Sequence, residues 1–423
     1  MHPPALWDWE SGQRVILATM ERPENVAWLE EYHAAPDGER VAVLASLEEG
    51  GFTALVNGEP WENSFDKAWC PRFSPDGRFT AIVQQDGMWT VAVDGEPWEE
   101  SFDFAWDTKF SAEGDVVAAC IQSGGEYGLC VDGVTWETLF ENANQTVLST
   151  DGKSAAAVVQ LESLKPADLA AFQNGVLGVA VNGQAWDANF MNCWTPAFDA
   201  QGARVAVQVR LNLYEYTIAV DGKTWGDTYA CVWEPRFNPA TGKVVAPVRQ
   251  KGFWGLAQDG QIIWEPKFVQ CWQQVISQDG KNIAAIVAPT FGEFTVAVNG
   301  KPWGISSPVV TDLVVGREGG GDGVRVAALG CVDNADWQVL VDGRAWAGTW
   351  DMAWKPVISP AGGHVAVKVS KGKRQGVVIN GKPYAKDFDQ VFEPTFSPDG
   401  KKLLIRGIDK GSVVRIVADV AQA

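Results

Sequence analysis

The stretch WTVAVDGEPW (residues 89–98) decides the fold of this chain. Apolar residues alternate along the chain up to Asp94-Gly95, and Trp98 follows shortly after the glycine. Asp-Gly or Asn-Gly between alternating runs is the strongest short-range signal of a β-hairpin, because both turn residues can adopt positive φ. The stretch therefore predicts two antiparallel strands joined by a tight turn. We call this turn, together with its aromatic residue, a hook.

The hook recurs along all 423 residues, at spacings of 37 to 50 residues. A second turn alternates with it, for example SPDG at 74–77 and again at 397–400. Each repeat of about 40 residues thus holds four short β-prone runs, which is the pattern of a β-propeller blade. We predict an all-β propeller of about ten four-stranded modules. The nine hook turns begin at Asn57, Asp94, Asp132, Asn182, Asp221, Asp259, Asn299, Asp342 and Asn380.

Aromatic residues stand in columns at fixed distances from the hooks. A column present in every module indicates packing between neighbouring blades, since a functional site is normally special to one or two modules. An electron relay of Trp side chains and a carbohydrate-stacking surface are the alternative interpretations. The hook Trp column consists of Trp61, Trp98, Trp136, Trp186, Trp225, Trp264, Trp303 and Trp346, and Tyr384 ends it.

The last module lacks a hook, so the ring needs another outer strand. The N-terminal WDWES (7–11) resembles WENS (61–64), and we expect the N-terminal strand to pair with the last blade and close the ring. One domain over 1–423 is then expected, with irregular insertions at 161–176 and 305–323. Two tandem smaller propellers divided at one of these insertions are the alternative. Helical character is expected only at 161–172.

The negative charge is confined to one part of the chain. Of 53 acidic and 34 basic side chains, residues 1–150 hold 27 acidic and 7 basic ones, whereas 151–423 hold 26 and 27. Such a one-sided field steers basic partners and argues against nucleic acid. We therefore expect partner docking on an acidic sector, with the basic run 368–374 as the next candidate. The residues concerned are Glu48, Glu49, Glu62, Glu99 and Glu100, and on the basic run Lys371, Lys373 and Arg374.

The sequence offers little material for catalysis. It has three His, seven Cys with no CxxC pair, and neither a GxSxG, a Walker nor an HExxH motif. We expect no catalytic residue, no cofactor and no metal site. The odd number of unclustered thiols fits a reducing compartment. The N-terminus lacks the pattern of a signal peptide, and no run approaches the ~18 apolar residues of a membrane span.

The strings at 71–77 and 394–400, both P-x-F-S-P-D-G, resemble the repeat of TolB-type and WD-repeat propellers. With 21 Trp and no signal peptide, the chain also resembles the TmcD family. Members of that family are tryptophan-rich propeller subunits of the transmembrane redox complex of sulfate-reducing bacteria. This resemblance implies a cofactor-free cytoplasmic component of sulfate respiration. It implies partner subunits that carry haem and iron–sulfur clusters, and it transfers no catalytic residue.

Three functions follow from these observations. The first is a non-catalytic docking or scaffold subunit of a membrane-bound electron-transfer complex, located in the cytoplasm at the inner face of the membrane without insertion into it. The second is a free-standing propeller that binds a small ligand or peptide in its central channel. The third is an enzyme with residues gathered at the channel mouth, which the uniform modules and the scarcity of His disfavour.

Overall fold

The chain is described by a computed structural model that covers residues 6–19, 21–164, 168–317, 323–333 and 335–422. These residues form ten antiparallel sheets, one per repeat. The first strand of each sheet lies against the first strands of the neighbouring sheets, so these strands line the axis of the ring. The predicted ten-bladed propeller of four-stranded modules is confirmed.

The strands are numbered in chain order. The N-terminal strand is β1 (Gly12–Leu17). Blade 1 has β2 (Val26–Leu29), β3 (His33–Ala34), β4 (Val41–Leu47), β5 (Phe52–Val56) and β6 (Glu59–Pro60). Blade 2 has β7 (Lys67–Phe73), β8 (Phe79–Gln85), β9 (Met88–Val93) and β10 (Glu96–Pro97). Blade 3 has β11 (Phe104–Phe110), β12 (Val117–Ser123), β13 (Glu126–Val131) and β14 (Val134–Thr135).

Blade 4 has β15 (Ala143–Leu148), β16 (Ala155–Gln160), the helix α1 (Leu169–Asn174), β17 (Leu177–Val181) and β18 (Gln184–Ala185). Blade 5 has β19 (Asn192–Phe198), β20 (Val205–Arg210), β21 (Tyr216–Val220) and β22 (Lys223–Thr224). Blade 6 has β23 (Cys231–Val232), β24 (Arg236–Phe237), β25 (Val244–Gln250), β26 (Phe253–Gln258) and β27 (Gln261–Phe268). Blade 7 has β28 (Gln270–Ile276), β29 (Ile283–Thr290), β30 (Glu293–Val298) and β31 (Lys301–Pro302).

Blade 8 has β32 (Val309–Val315), β33 (Val326–Cys331), β34 (Trp337–Val341) and β35 (Arg344–Ala345). Blade 9 has β36 (Met352–Ala353), β37 (Val357–Ile358), β38 (Val365–Lys371), β39 (Arg374–Ile379) and β40 (Lys382–Pro383). Blade 10 has β41 (Gln390–Val391), β42 (Thr395–Phe396), β43 (Lys402–Asp409) and β44 (Ser412–Asp419), and β1 pairs with β44. In blades 1, 6, 9 and 10 the innermost strand is divided into two short segments.

Each hook ties the outer hairpin of its blade to the start of the second strand. In blade 2, Asp94 adopts a φ of 49°, and its backbone N–H donates to the carbonyl of Phe79 at 2.7 Å. Its Oδ1 accepts the backbone N–H of Phe79 at 2.9 Å. All nine hooks make this reciprocal pair. Only Asp and Asn combine tolerance of the left-handed region with a short side-chain acceptor, which explains their exclusive use at this position.

In eight of the nine hooks the glycine lies under the hook Trp of the preceding blade. A methyl group built on Gly95 would stand 2.9 Å from Cγ of Trp61, so this contact requires glycine for space as well as for its φ of 93°. The corresponding pairs are Trp98 with Gly133, Trp136 with Gly183, Trp186 with Gly222, Trp225 with Gly260, Trp264 with Gly300, Trp303 with Gly343, and Trp346 with Gly381. At the closing seam, Leu17 of β1 is the side chain nearest Gly58.

The apolar core is distributed between the blades. Nine apolar clusters fill the nine seams from blade 1 to blade 10. A smaller cluster around Val41, Ile408 and Val413 fills the tenth seam, between blades 10 and 1. Among the described residues, the clusters therefore continue from blade to blade around the ring.

The closing seam also buries two arginines. Arg406 Nη1 donates to the carbonyl of Ala35 at 2.6 Å, and Arg415 Nε donates to the carbonyl of Asp37 at 2.9 Å. Burial lowers the pKa of Arg406 to about 10, so the guanidinium remains charged at neutral pH.

The predicted closure of the ring by the N-terminal strand is confirmed, because β1 pairs with β44 of blade 10. The strand begins at Gly12, directly after the WDWES stretch that indicated it.

The two predicted insertions differ in structure. In the first, α1 is six residues long and starts after the N-cap Asp168, whose side chain accepts the N–H of Ala171 at 3.0 Å. It begins later than the helical region expected at 161–172, and residues 165–167 lie outside the described residues. In the second, residues 309–315 form β32, and the glycine-rich residues 318–322 lie outside the described residues.

Removal of a buried hook Trp should destabilise the ring. Trp136 is only 7 % exposed, and we expect Trp136→Ala to lower the free energy of unfolding by about 3–5 kcal/mol, the usual cost of truncating a large buried aromatic. Denaturant titration measures this change. The control is Phe291→Ala at an 86 % exposed position, which should alter stability by less than about 0.5 kcal/mol. Equal stability of the two variants would contradict the packing role of the hook Trp.

Candidate functional site

The structure separates the predicted acidic docking residues into two groups. Glu48 and Glu49 lie in the exposed turn between β4 and β5, on the face of the ring that carries the hairpins between second and third strands. We call this the hairpin face. Glu62, Glu99 and Glu100 follow the outer strands β6 and β10 and lie on the outer rim. Glu100 also accepts a hydrogen bond from Thr135 Oγ1 of the next blade.

The basic run lies on the hairpin face of blade 9, with Lys371 and Lys373 exposed beside the turn. Arg374, in contrast, is engaged in ion pairs with neighbouring residues of the fold. It forms ion pairs with Asp387 at 3.0 Å, with Asp389, and with Asp409 at 3.2 Å, and these hydrogen bonds raise its pKa. Lys371 Nζ lies 3.6 Å from a carboxylate oxygen of Asp351. Much of the positive charge in this run is therefore balanced by neighbouring acids.

An exposed group of aromatic side chains lies inside the acidic sector. Trp69 and Phe104 are each 38 % exposed, and their ring centroids are 5.8 Å apart across the seam between blades 2 and 3. Trp89 packs against both, at 6.2 and 5.5 Å, and Trp106 lies 5.9 Å from Phe104. We call these four residues the aromatic patch. They stand at the same edge as the hairpin turns of blades 2 and 3.

Further apolar and charged side chains flank the aromatic patch. Met88 is 38 % exposed beside Trp89, and Trp28 of blade 1 is 45 % exposed. The ammonium of Lys67 lies over the Trp89 ring at 6.0 Å. A second cation, the exposed Arg22, lies 3.6 Å from a carboxylate oxygen of Glu48, and acidic residues outnumber these two cations. The acidic residues exposed on the hairpin side of blades 1–3 are Glu48, Glu49, Asp66, Asp86, Asp103 and Glu126.

Two of these acids also hold the hairpins in place. Asp66 Oδ2 accepts the backbone N–H of Asp86 at 2.9 Å, and Asp103 Oδ2 accepts that of Gly124 at 2.7 Å. Asp351 and Asp389 do the same for Gly372 and Lys410. In the sequence each of these four Asp residues directly follows an aromatic residue that pairs with the third strand of its blade, but the role of the Asp could be read only from the structure.

A ring of backbone irregularities lines the central channel. The pairing register shifts in the innermost strands of six blades, next to a residue with a φ near 50°. The six residues are Cys70, Asp107, Gln145, Thr195, Gln273 and Asp312. In the other four blades the innermost strand is interrupted at this level. β-bulges aim side chains away from the regular pleat, so this level of the channel differs in chemistry from blade to blade.

The thiols are dispersed and mostly buried. Burial raises the pKa of Cys120 to about 11 and that of Cys130 and Cys193 to about 12, and it raises the pKa of Cys271 further. Among the described residues, no group of three or more His, Cys, Asp or Glu side chains is arranged to hold a metal ion. No helix in the described part of the chain is long and apolar enough to cross a membrane.

Comparisons with known proteins give matches of fold alone. No family model and no curated protein matches the chain. A solved structure of the eukaryotic initiation factor aligns over 90% of this chain and 93% of its own, at 10% identity and a TM-score of 0.45. The β-propeller domain of the Trilobed protease from Pyrococcus furiosus aligns over 68% of this chain and 96% of its own, at 12% identity and a TM-score of 0.31.

The WD40 β-propeller domain of Doa1 gives a similar result, with 66% of this chain and 94% of its own covered, at 13% identity and a TM-score of 0.32. Similarity at these sequence identities and TM-scores gives no information about function. What the ten sheets define is a WD40-like β-propeller, a fold compatible with a non-catalytic scaffold role.

Thiol reactivity tests the described burial. A thiol reacts as its thiolate, and a pKa of about 12 leaves about one thiolate in ten thousand at pH 8. Cys120, Cys130, Cys193 and Cys271 should therefore react with a chromogenic disulfide reagent only after denaturation. The partly exposed Cys70 is expected to react first. Peptide mass spectrometry identifies the modified residues, and rapid modification of these four thiols in the native protein would contradict this arrangement.

Proposed function

We propose that this chain is a non-catalytic scaffold subunit that docks through the hairpin face of blades 1–3. Its partner presents a basic surface and belongs to a membrane-bound electron-transfer complex of anaerobic respiration, whose other subunits hold haem and iron–sulfur clusters. The chain itself works as a cofactor-free peripheral component on the cytoplasmic side of the membrane. The assignment to a redox complex rests on the resemblance in tryptophan content and repeat style to the TmcD family.

The aromatic patch is the observation that carries the docking proposal. Binding energy in protein interfaces concentrates in a few aromatic and Arg side chains, surrounded by polar groups that exclude water. Trp69 and Phe104 offer partly exposed rings of this kind, preorganised by packing on Trp89 and Trp106. The acidic residues around these rings supply the polar periphery of the proposed interface. Because the acids outnumber the cations Lys67 and Arg22 around the patch, this surface favours a basic partner and accelerates its association.

A free-standing propeller with a ligand in its central channel is the second candidate. The observation that favours it is the ring of bulges, which places chemically different side chains at one level of the channel. Such a protein would purify alone. The docking function predicts stoichiometric association with coloured partner subunits.

Native purification tests the proposal as a whole. The chain, tagged at its C-terminus, is isolated from detergent-solubilised membranes of its own source, and haem absorbance, iron content and subunit composition are measured. We expect haem- and iron-sulfur-containing subunits at constant stoichiometry with the chain. A colourless single-chain eluate, obtained reproducibly under mild conditions, would contradict the redox-complex assignment.

Truncation of the aromatic patch should weaken that assembly. The double variant Trp69→Ala, Phe104→Ala removes two candidate hot-spot rings, and each such loss costs about 2 kcal/mol or more, roughly 30-fold in affinity. The matched control is Phe253→Ala on the hairpin turn of blade 6, where the ring is 47 % exposed beside Lys251. Quantitative pull-down of the haem subunit measures both. Equal recovery with the two variants would place the interface elsewhere.

Charge reversal distinguishes the hairpin face from the outer rim. Glu48→Lys, Glu49→Lys changes the hairpin face, and Glu99→Lys, Glu100→Lys changes the rim by the same amount. Exposed charges alter association rate and salt dependence more than stability, so both variants should keep the wild-type melting temperature. We expect slower, less salt-dependent association only for the first pair, in surface-binding kinetics with the isolated partner. A slower rate only for the rim pair would assign docking to the rim.

A further inference from the structure

One seam of the ring carries a lysine where most blades place an apolar side chain. Lys368 of β38 faces the neighbouring blade at a position opposite Val377. The same register position in other blades holds Leu44, Ile82, Val158, Ile286 and Leu329, all fully buried. An amine at this position costs desolvation without adding apolar packing, so its presence needs a reason.

Arg406 occupies the same position in blade 10, but unlike Lys368 it has hydrogen-bond partners among the described residues. The Arg406 guanidinium donates to the carbonyls of Ala35 and Glu393, and these hydrogen bonds stabilise the closing seam. The Lys368 ammonium forms no hydrogen bond or ion pair within the described chain. It lies over the Trp354 ring at 4.2 Å. Its partial burial lowers its pKa, an effect that Glu31 and Glu393 oppose from a distance.

Lys368 lines a pocket of about 410 Å³ in the channel wall between blades 8 and 10. This volume is within the range of small-molecule sites. Two indole rings, two amines and two carboxylates converge on it, contributed by Trp337, Trp354, Lys355, Lys368, Asp312 and Glu393. Asp312 occupies one of the channel bulges, with a φ of 54°. The lining thus combines apolar indole surface with two positive and two negative groups.

We propose that this pocket binds a small zwitterion, an α-amino acid with an apolar side chain. The ligand carboxylate supplies the partner that the Lys368 ammonium lacks, because a charged hydrogen bond to a carboxylate is the strongest that a half-buried amine can make. The ligand ammonium is directed to Asp312 and Glu393, and the apolar side chain packs on the indoles. The two carboxylates make the pocket unfavourable for phosphate or other multivalent anions. This site is independent of the docking face on blades 1–3.

Three related probes test which charged groups of a ligand the pocket requires for binding. L-Phenylalanine carries both charges, 3-phenylpropanoate lacks the ammonium, and phenethylamine lacks the carboxylate. Calorimetric titration of the purified full chain should show binding of L-phenylalanine, with each of the other probes about 10- to 100-fold weaker, the range expected for loss of one charged hydrogen bond. Absence of L-phenylalanine binding, or equal binding of the propanoate, would overturn the proposal.

Substitution of the lysine provides the matched comparison. Lys368→Met should weaken L-phenylalanine binding about 10- to 100-fold. Because five other blades hold an apolar residue at this position, this variant should fold and melt no lower than wild type. Lys371→Met removes an exposed amine of the same strand that pairs with Asp351, and it should leave binding unchanged. Unchanged binding in Lys368→Met, or an equal loss in both variants, would contradict the assignment of the site to Lys368.

Discussion

The left-handed turn of the hook is the constraint on which the whole ring depends. An Asp or Asn at a φ near 50° fixes the outer hairpin to the second strand through two backbone hydrogen bonds. The glycine that follows leaves room for the Trp of the preceding blade. One short turn therefore sets both the shape of a blade and the contact between blades. This contact of a hook Trp with a hook glycine joins the eight seams from blade 1 to blade 9. Blade 10 has no hook, so its seam with blade 9 relies on apolar packing, and its seam with blade 1 is closed by β1 and two buried arginines.

Uniform repetition makes departures from the repeat informative. Nine seams are filled by the same kinds of apolar side chain, so the fold alone does not explain why blades 1–3 are acidic. Nor does it explain why a second exposed ring, Phe104, lies beside Trp69 there, whereas Trp233 at the same repeat position of blade 6 is 41 % exposed and stacks on Trp254. Nor does it explain Lys368, whose ammonium faces a pocket in the described structure instead of a protein partner. These departures lie in different parts of the ring. A scaffold that docks by one sector and binds a small molecule at another is a consistent interpretation of both.

The repeat spacing was sufficient to predict the blades, because hook residues have strict conformational demands that few amino acids meet. The channel bulges could not be predicted, since Cys70, Gln145 and Thr195 carry no sequence signal for positive φ. The start of α1 was missed because the insertion has no repeat to align with. For the site, composition located the acidic sector. Composition did not show which acids share a face with the aromatic patch, because that depends on how the strands connect. Only the structure shows that Glu48 lies on the hairpin face and Glu99 on the outer rim.

Hydrogen exchange of the free chain and of the chain in its native complex tests the docking account most directly. Exposed hairpin turns exchange quickly unless a partner covers them. The account predicts that assembly protects residues 47–52, 85–89 and 123–127, the turns of blades 1–3, and leaves the turns of blades 5–7 unchanged. Protection confined to blades 5–7 or to the outer rim, with no change at the turns of blades 1–3, would contradict it.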